Sequence, residues 1–468
     1  MAYRLREAIK EVPGMRYVVD NWPVHSGPGL RAIAEVEMRH DATALNAEYG
    51  HIEETISTFY SRRGASQREL LEARLCQVQD VQGSLSCLRG GAVRDDIELF
   101  EIKSFALRAM DIRAQLQALS FQCVELPDLD GAIAVLDPTG KRIPHFYIYD
   151  EYSDELRDAR AALTQMQRSK TDEESIEQQR LHCVEIEDAV RRALTRRLQP
   201  YVDVLQQAHI AVAELDLLLG KAWMANALEL TRPALGGNAL SLQGLQHPEV
   251  AAKLADRKLA FQRVDVALVE GVTVVTGANM AGKSVLLQSI QLAQHMAQFG
   301  LFVAAREAKI PLVEEVLTSM GDGQDHREGL SSFGAEMLRI NGIVMASKMG
   351  KPLLVLIDEL ARTTNPTEGR AIVCGVVELL ESRRIRTVVT THYSGVNVPC
   401  KHLKVRGFQK DRVEGALGIS NINRYIDYSL EEDSEGAVPQ EALPIAELLG
   451  VDPELLECCR AHLAPSDT

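Results

Sequence analysis

One segment constrains this chain more than any other: Thr273-Val274-Val275-Thr276 running into Gly277-Ala278-Asn279-Met280-Ala281-Gly282-Lys283-Ser284. A β-type run leads directly into Gly-x-x-x-x-Gly-Lys-Ser, and helix-compatible residues follow as far as Gln298. A loop of this kind works only between a strand and a helix, so the surrounding region must be α/β. The glycines let successive N–H groups turn inward as a nest for an anion. The helix starting near Lys283 points the positive end of its dipole at the same place. Lys283 reaches the outer phosphates of a nucleotide as a point charge, and Ser284 offers a hydroxyl to Mg²⁺. Residues Gly277, Ala278, Asn279, Met280, Ala281, Gly282, Lys283, Ser284 and Val285 are therefore the expected ATP-binding loop.

The metal partner lies downstream. Leu353 to Ile357 is an unbroken apolar run of the kind a buried parallel strand needs, and it ends in Asp358-Glu359. Carboxylates at that end of a strand face the ligand edge of an α/β sheet. Asp358 is expected to hold Mg²⁺ and Glu359 to polarise an attacking water. A later strand, Arg386 to Thr391, ends in His392-Tyr393, where a histidine can hydrogen-bond a γ-phosphate.

The rest of the chain frames this site. Before residue 230 the pattern is mostly helical: 41–59, 69–88, 95–119 and nearly all of 152–220, with breaks near 169–171 and at Pro200. His209 lies on the apolar stripe of the last stretch and reads as a packed histidine, not a ligand. A small β patch is expected at 132–149, where Ala132 to Leu136 and Phe146 to Tyr149 flank a Pro-x-Gly turn. From 231 strands alternate with helices, which predicts a mostly parallel sheet. The expected domains are a helical region over 1–230, an ATPase domain over 231–430, and an acidic, mobile linker with a helix pair over 431–468.

Composition narrows the options. Net charge is −15, which argues against a broad nucleic-acid grip. The eight cysteines form no Cys-x-x-Cys pair and read as reduced thiols in the cytoplasm. Neither a leader segment nor a membrane span is expected.

The order and wording of the motifs resemble the MutS family of ABC-type ATPases. The resemblance rests on Thr276 to Ser284, Ser331-Ser332-Phe333-Gly334-Ala335-Glu336-Met337, Leu356 to Gly369 and Thr390-Thr391-His392-Tyr393. It implies an α/β P-loop ATPase domain at the C-terminus, preceded by an all-α core and lever. It implies that Ser331 and Ser332 touch the γ-phosphate held by a second subunit, that His392 is a switch histidine, and that Phe261 stacks on adenine. ATP and Mg²⁺ would then sit between two copies, or between this chain and a sister chain.

The departures bear on function. The mismatch-reading and connector domains of repair members are not expected, and the clamp is reduced to a turn near 169–174. Ala278, Ala281, Ala361 and Thr363 replace a proline and glycines, Gln440-Glu441-Ala442 replaces Ser-Tyr-Gly, and Pro444 replaces a histidine. Small family members without the reading domain reactivate adenosylcobalamin-dependent aminomutases, and residues 136–152 resemble that group. Three readings follow: an ATPase remodelling a protein client such as an aminomutase, a DNA-acting mismatch-repair-like ATPase, and a nucleotide-binding scaffold.

Overall fold

A computed structural model describes residues 2–169, 172–278, 281–321, 332–362, 364–409, 422–433, 442–448 and 450–462. The chain divides into two compact units, one of residues 22–36 and 50–226, the other of 1–21, 37–49 and 227–468. The expected boundary at 230 is thus corrected at the N-terminus, because two early segments belong with the C-terminal unit. There the Tyr49 hydroxyl donates to Ala297 O at 2.7 Å and Arg39 N donates to Gln298 O at 2.8 Å.

The chain opens with α1 (Leu5–Glu11), α2 (Met15–Asp20), α3 (Gly27–Ala32) and α4 (Ala42–Phe59). Next come α5 (Ala65–Leu75), α6 (Gln82–Arg89), α7 (Asp96–Ala118) and α8 (Asp130–Leu136). The long helices are α9 (Asp154–Arg168), α10 (Glu173–Leu198) and α11 (Val202–Ala227), with a 3₁₀ turn at Pro200 between the last two. Every regular element described between 50 and 226 is helical. Asp95 caps α7 through Glu98 N, and the Glu98 carboxylate reaches back to Asp95 N, a capping box.

Two local expectations fail. Residues 69–88 are not one helix, because Asp80 takes Gln82 N at 3.0 Å and starts α6 afresh. Asp80 also meets the buried His209 at 2.9 Å. Ala132 to Leu136 is helix α8 and not a strand. Its apolar run is short enough to satisfy either period. Its helical form buries Ala132, Ile133, Val135 and Leu136, and Lys103 bonds Asp137 just beyond it at 3.1 Å. Residues 146–149 form no strand either, their rings instead clustering with Tyr152.

The C-terminal unit holds the strands. In order they are β1 (Ala234–Leu235), β2 (Leu240–Leu245), α12 (Pro248–Asp256), β3 (Val264–Leu268), β4 (Val272–Thr276), α13 (Lys283–Gln298), β5 (Glu307–Ile310) and β6 (Glu315–Ser319). Then come α14 (Ser332–Ala346), β7 (Leu353–Ile357), α15 (Pro366–Ser382), β8 (Arg386–Thr391), β9 (Lys401–Phe408), β10 (Ile426–Glu432), α16 (Ala442–Leu448) and α17 (Pro453–Ala461). The larger sheet runs β10-β9-β4-β8-β7-β6, parallel throughout except for the β9–β10 pair. A smaller sheet runs β1-β5-β2-β3.

Strands β4, β7 and β8 are buried along their whole length, which is why they read as continuous apolar or threonine-rich runs. On one face Val274, Val355, Ile357 and Val389 pack with Ile340 and Ile343 of α14 and Val373, Val377 and Leu380 of α15. Helix α13 packs on β7 and β8. Glu431 and Glu432 belong to β10, and Glu431 pairs with Lys404 and Arg406. The expected mobile acidic linker is corrected for these two residues and for Asp433, whose N–H donates to His402 O at 3.1 Å and whose carboxylate accepts from the Thr276 hydroxyl at 3.3 Å; residues 434–436 lie outside the described residues.

Candidate nucleotide site

Register places the chemistry. Thr276 at the end of β4 pairs with Thr391 of β8, and Ile357 at the end of β7 pairs with Val389. The β4, β7 and β8 carboxyl ends are therefore adjacent, and Gly277, Asp358-Glu359 and His392 emerge at one edge.

Gly277 has φ +155° and Gly282 φ +74°, the second in the left-handed region as the N-cap of α13. A Cβ on Gly282 would lie 2.8 Å from Cδ1 of Tyr428, so glycine is required there on two counts. Ala281 N donates to Ala278 O at 3.0 Å and tightens the turn. Asn279 and Met280 lie outside the described residues. Ser284 is exposed and Val285 half-buried at the start of the helix.

Lys283 is buried, and its Nζ donates to Gly277 O at 2.7 Å and Ala278 O at 2.9 Å. Oε1 of Glu359 stands 3.4 Å from the same ammonium, and Oε2 of Glu359 stands 3.5 Å from Arg362. Ammonium and carboxylate thus meet across the gap between β4 and β7.

Thr390 organises the carboxylates from the middle strand. Its hydroxyl donates to Asp358 Oδ1 at 2.6 Å and accepts from Glu359 N at 3.0 Å. Asp358 N is tied to Ser319 O at 2.9 Å. Both Glu359 and Ala361 have positive φ, +47° and +61°. Ala361 N donates to Glu336 of α14 at 3.2 Å, and Ala361 O accepts from the Tyr393 hydroxyl at 2.7 Å. Burial pushes the Glu336 carboxyl above its ordinary range. His392 is half-buried, its ring 4.4 Å from that of Tyr393.

Phe261 lies beside the loop. It lines a cavity of about 620 Å³ with Ala281, Gly282, Val285, Tyr428 and Leu430. Gln262 joins the far wall, donating to Asp427 at 2.7 Å and accepting from Tyr428 N at 3.2 Å. Burial alone would raise the Asp427 carboxyl, but hydrogen bonds from Ser429 and Gln262 outweigh it and bring its pKa down to about 2.

Of the expected site residues, the structure brings together Gly277, Ala278, Ala281, Gly282, Lys283, Glu359 and Asp358, with Phe261 on the adjoining cavity. Ser331 and Thr363 lie outside the described residues, as does the side chain of Ser332, whose backbone opens α14. Thr390, Tyr393, Glu336 and Tyr428 were not singled out from the sequence. The first three do stand inside the quoted motifs, which was the available signal; Tyr428 had none.

Residues 273–436 match the family model described as MutS domain V. The chain is 30% identical over 288 residues to a DNA mismatch repair protein MutS of Thermus thermophilus, covering 59% of this chain and 32% of that protein. It is 32% identical to a protein of the same name from Chloroflexus aurantiacus, covering 61% and 29%. It is 29% identical to an Endonuclease MutS2 of Carboxydothermus hydrogenoformans, covering 60% and 34%. The matched region spans about a third of the length of these relatives.

Proposed function

We propose that this chain, whose residues 273–436 match the MutS domain V model, is a cytoplasmic ATPase that binds ATP with Mg²⁺, hydrolyses it, and uses the cycle to remodel a partner. The observation that carries the reading is Lys283. A buried ammonium faces two loop carbonyls and the Glu359 carboxylate at the edge where three strands end. A triphosphate is the ligand such a cation, two left-handed or open glycines and a helix N-terminus suit together.

Ser284 and Asp358 would hold Mg²⁺; both offer the oxygen donors that this ion takes, and Thr390 already orients the carboxylate. When bound, the metal neutralises charge on the phosphates. Glu359 polarises the attacking water, His392 reports the γ-phosphate, and Phe261 stacks on the base from the adjoining cavity. Ser331 and Ser332 complete the site of a second copy or sister chain.

The partner is proposed to be a protein, such as an adenosylcobalamin-dependent aminomutase. In support, α9 and α10 are joined by residues 169–172 alone, leaving no room there for a DNA clamp, and net charge is −15. A second reading, action on DNA, is favoured by the printed names of the relatives. Salt separates the two, since retention on duplex DNA through phosphate contacts falls steeply as salt rises. No retention at low salt supports the protein client; salt-sensitive retention supports DNA.

The nucleotide assignment is tested with Lys283→Ala. At 100 times its dissociation constant ATP should stabilise the wild type by about 2.7 kcal/mol. The variant should show no such rise in its thermal midpoint. An equal rise in both overturns the assignment of the loop.

A further inference from the structure

We infer that Tyr393 and Glu336 are positioning residues that set the Glu359 carboxylate by gripping both sides of one residue, Ala361. The inference rests on the proposed role of Glu359. Its basis is a set of contacts joining three segments that are far apart in sequence. From α14, Glu336 Oε2 accepts Ala361 N at 3.2 Å. From the end of β8, the Tyr393 hydroxyl donates to Ala361 O at 2.7 Å. Tyr393 is itself fixed, its N–H donating to Thr391 Oγ1 at 3.0 Å.

What they grip is a strained turn. Glu359 and Ala361 both occupy the left-handed region, and neither is glycine. L-residues leave that region unless neighbours hold them. Ala361 is fully buried, so no water can substitute for either bond. Glu359 is held at its own N–H by Thr390, and two residues later the chain is held again by Glu336 and Tyr393. Between the two anchors the backbone has one course, and it delivers the carboxylate to 3.4 Å from Lys283. Gly369 fits the same picture: a Cβ there would lie 2.3 Å from the Tyr393 hydroxyl, which therefore needs a glycine beside it to reach Ala361.

The arrangement also gives α14 and the β8 end a hold on Ala361, and through its backbone on Glu359. Moving either helix or strand end moves Ala361 and with it Glu359. Tyr393→Phe removes the hydroxyl and nothing else. Its kcat for ATP should fall by about ten- to a hundredfold, the cost of a displacement on the order of an ångström at the reacting geometry. KM should change by less than about twofold, because Lys283 and the loop are untouched. ATP should still raise the thermal midpoint as in the wild type. Glu336→Ala should behave likewise, and Glu336→Gln, whose amide oxygen can still accept Ala361 N, should recover part of the turnover that Glu336→Ala loses.

Unchanged kcat in Tyr393→Phe, with or without a lower thermal midpoint, overturns the inference, as does an equal loss in Glu336→Gln and Glu336→Ala. Failure of the underlying reading looks different: Glu359→Gln would then leave turnover of the wild type intact, whatever Tyr393→Phe does.

Discussion

Glu359 occupies a left-handed backbone position with its carboxylate shared between the buried Lys283 and the exposed Arg362. In the proposed mechanism its part is to act on the attacking water rather than to hold the phosphates, so replacing it should spare affinity and strike the chemical step. Glu359→Gln is expected to keep ATP binding within about twofold while turnover drops by about 10²–10⁴, the usual worth of a general base. Equilibrium binding and single-turnover hydrolysis, measured side by side, check this. Gly282 makes a second prediction at this scale. An alanine there meets a left-handed φ, costing about 1–2 kcal/mol, and the ring of Tyr428 at 2.8 Å as well. Gly282→Ala should lower the thermal midpoint and abolish stabilisation by ATP, read by one melting series with and without nucleotide. The sequence singles out Lys283, Ser284 and Asp358 for the proposed site because phosphate and metal chemistry asks for those residue types after a strand. Thr390, Glu336 and Tyr393 stand inside the quoted motifs, but their contacts join segments some 30 residues apart, and no local pattern encodes that approach.

Among the elements, the central strands β4, β7 and β8 were the easiest to read, since burial on both faces leaves unbroken runs such as Leu353 to Ile357, whereas the partly exposed β6, β9 and β10 gave no such signal. Two failures have different causes: Ala132 to Leu136 is a run too short for its period to be read, and the stretch 69–88 is broken from within where Asp80 accepts from Gln82 N. Helix α13 carries a further consequence. His295 is buried against Phe299 and Tyr3, and burial brings its pKa from 6.5 down to about 4. The folded state therefore keeps the ring neutral while the unfolded chain takes up a proton below about pH 6.5. Stability contributed by the neutral ring is whole above pH 6.5 and is lost as pH falls toward 4. His295→Gln should flatten this part of the profile, so thermal midpoints of wild type and variant should converge between about pH 6.5 and 4. Parallel curves across that window would show that another group governs acid stability.

At the scale of the whole molecule the two compact units interleave along the chain, since residues 1–21 and 37–49 belong with 227–468. That division was illegible in the sequence: helical periodicity reports a helix's apolar face, not the unit that covers it. Assembly yields the prediction proper to this scale. If Ser331 and Ser332 serve a partner's nucleotide, a Lys283→Ala chain and a Ser331→Ala/Ser332→Ala chain are each inactive alone. A mixed pair restores one intact site and one doubly broken site, so ATPase activity should partly return on mixing. Mixed dimers that stay inactive would mean that the serines act within their own chain or that both sites must fire together.

The helical unit has a mechanical property that follows from length alone. Helices α10 and α11 each run for 26 residues, about 39 Å at 1.5 Å per residue, and they meet at the short turn around Pro200. A rigid rod of that length amplifies angle into distance. Tilting α10 by about 5° at the Pro200 end carries its far tip through about 3 Å, roughly the span of one hydrogen bond. A rearrangement small enough to leave every bond at the pivot intact would therefore be large enough to make or break them at the tip.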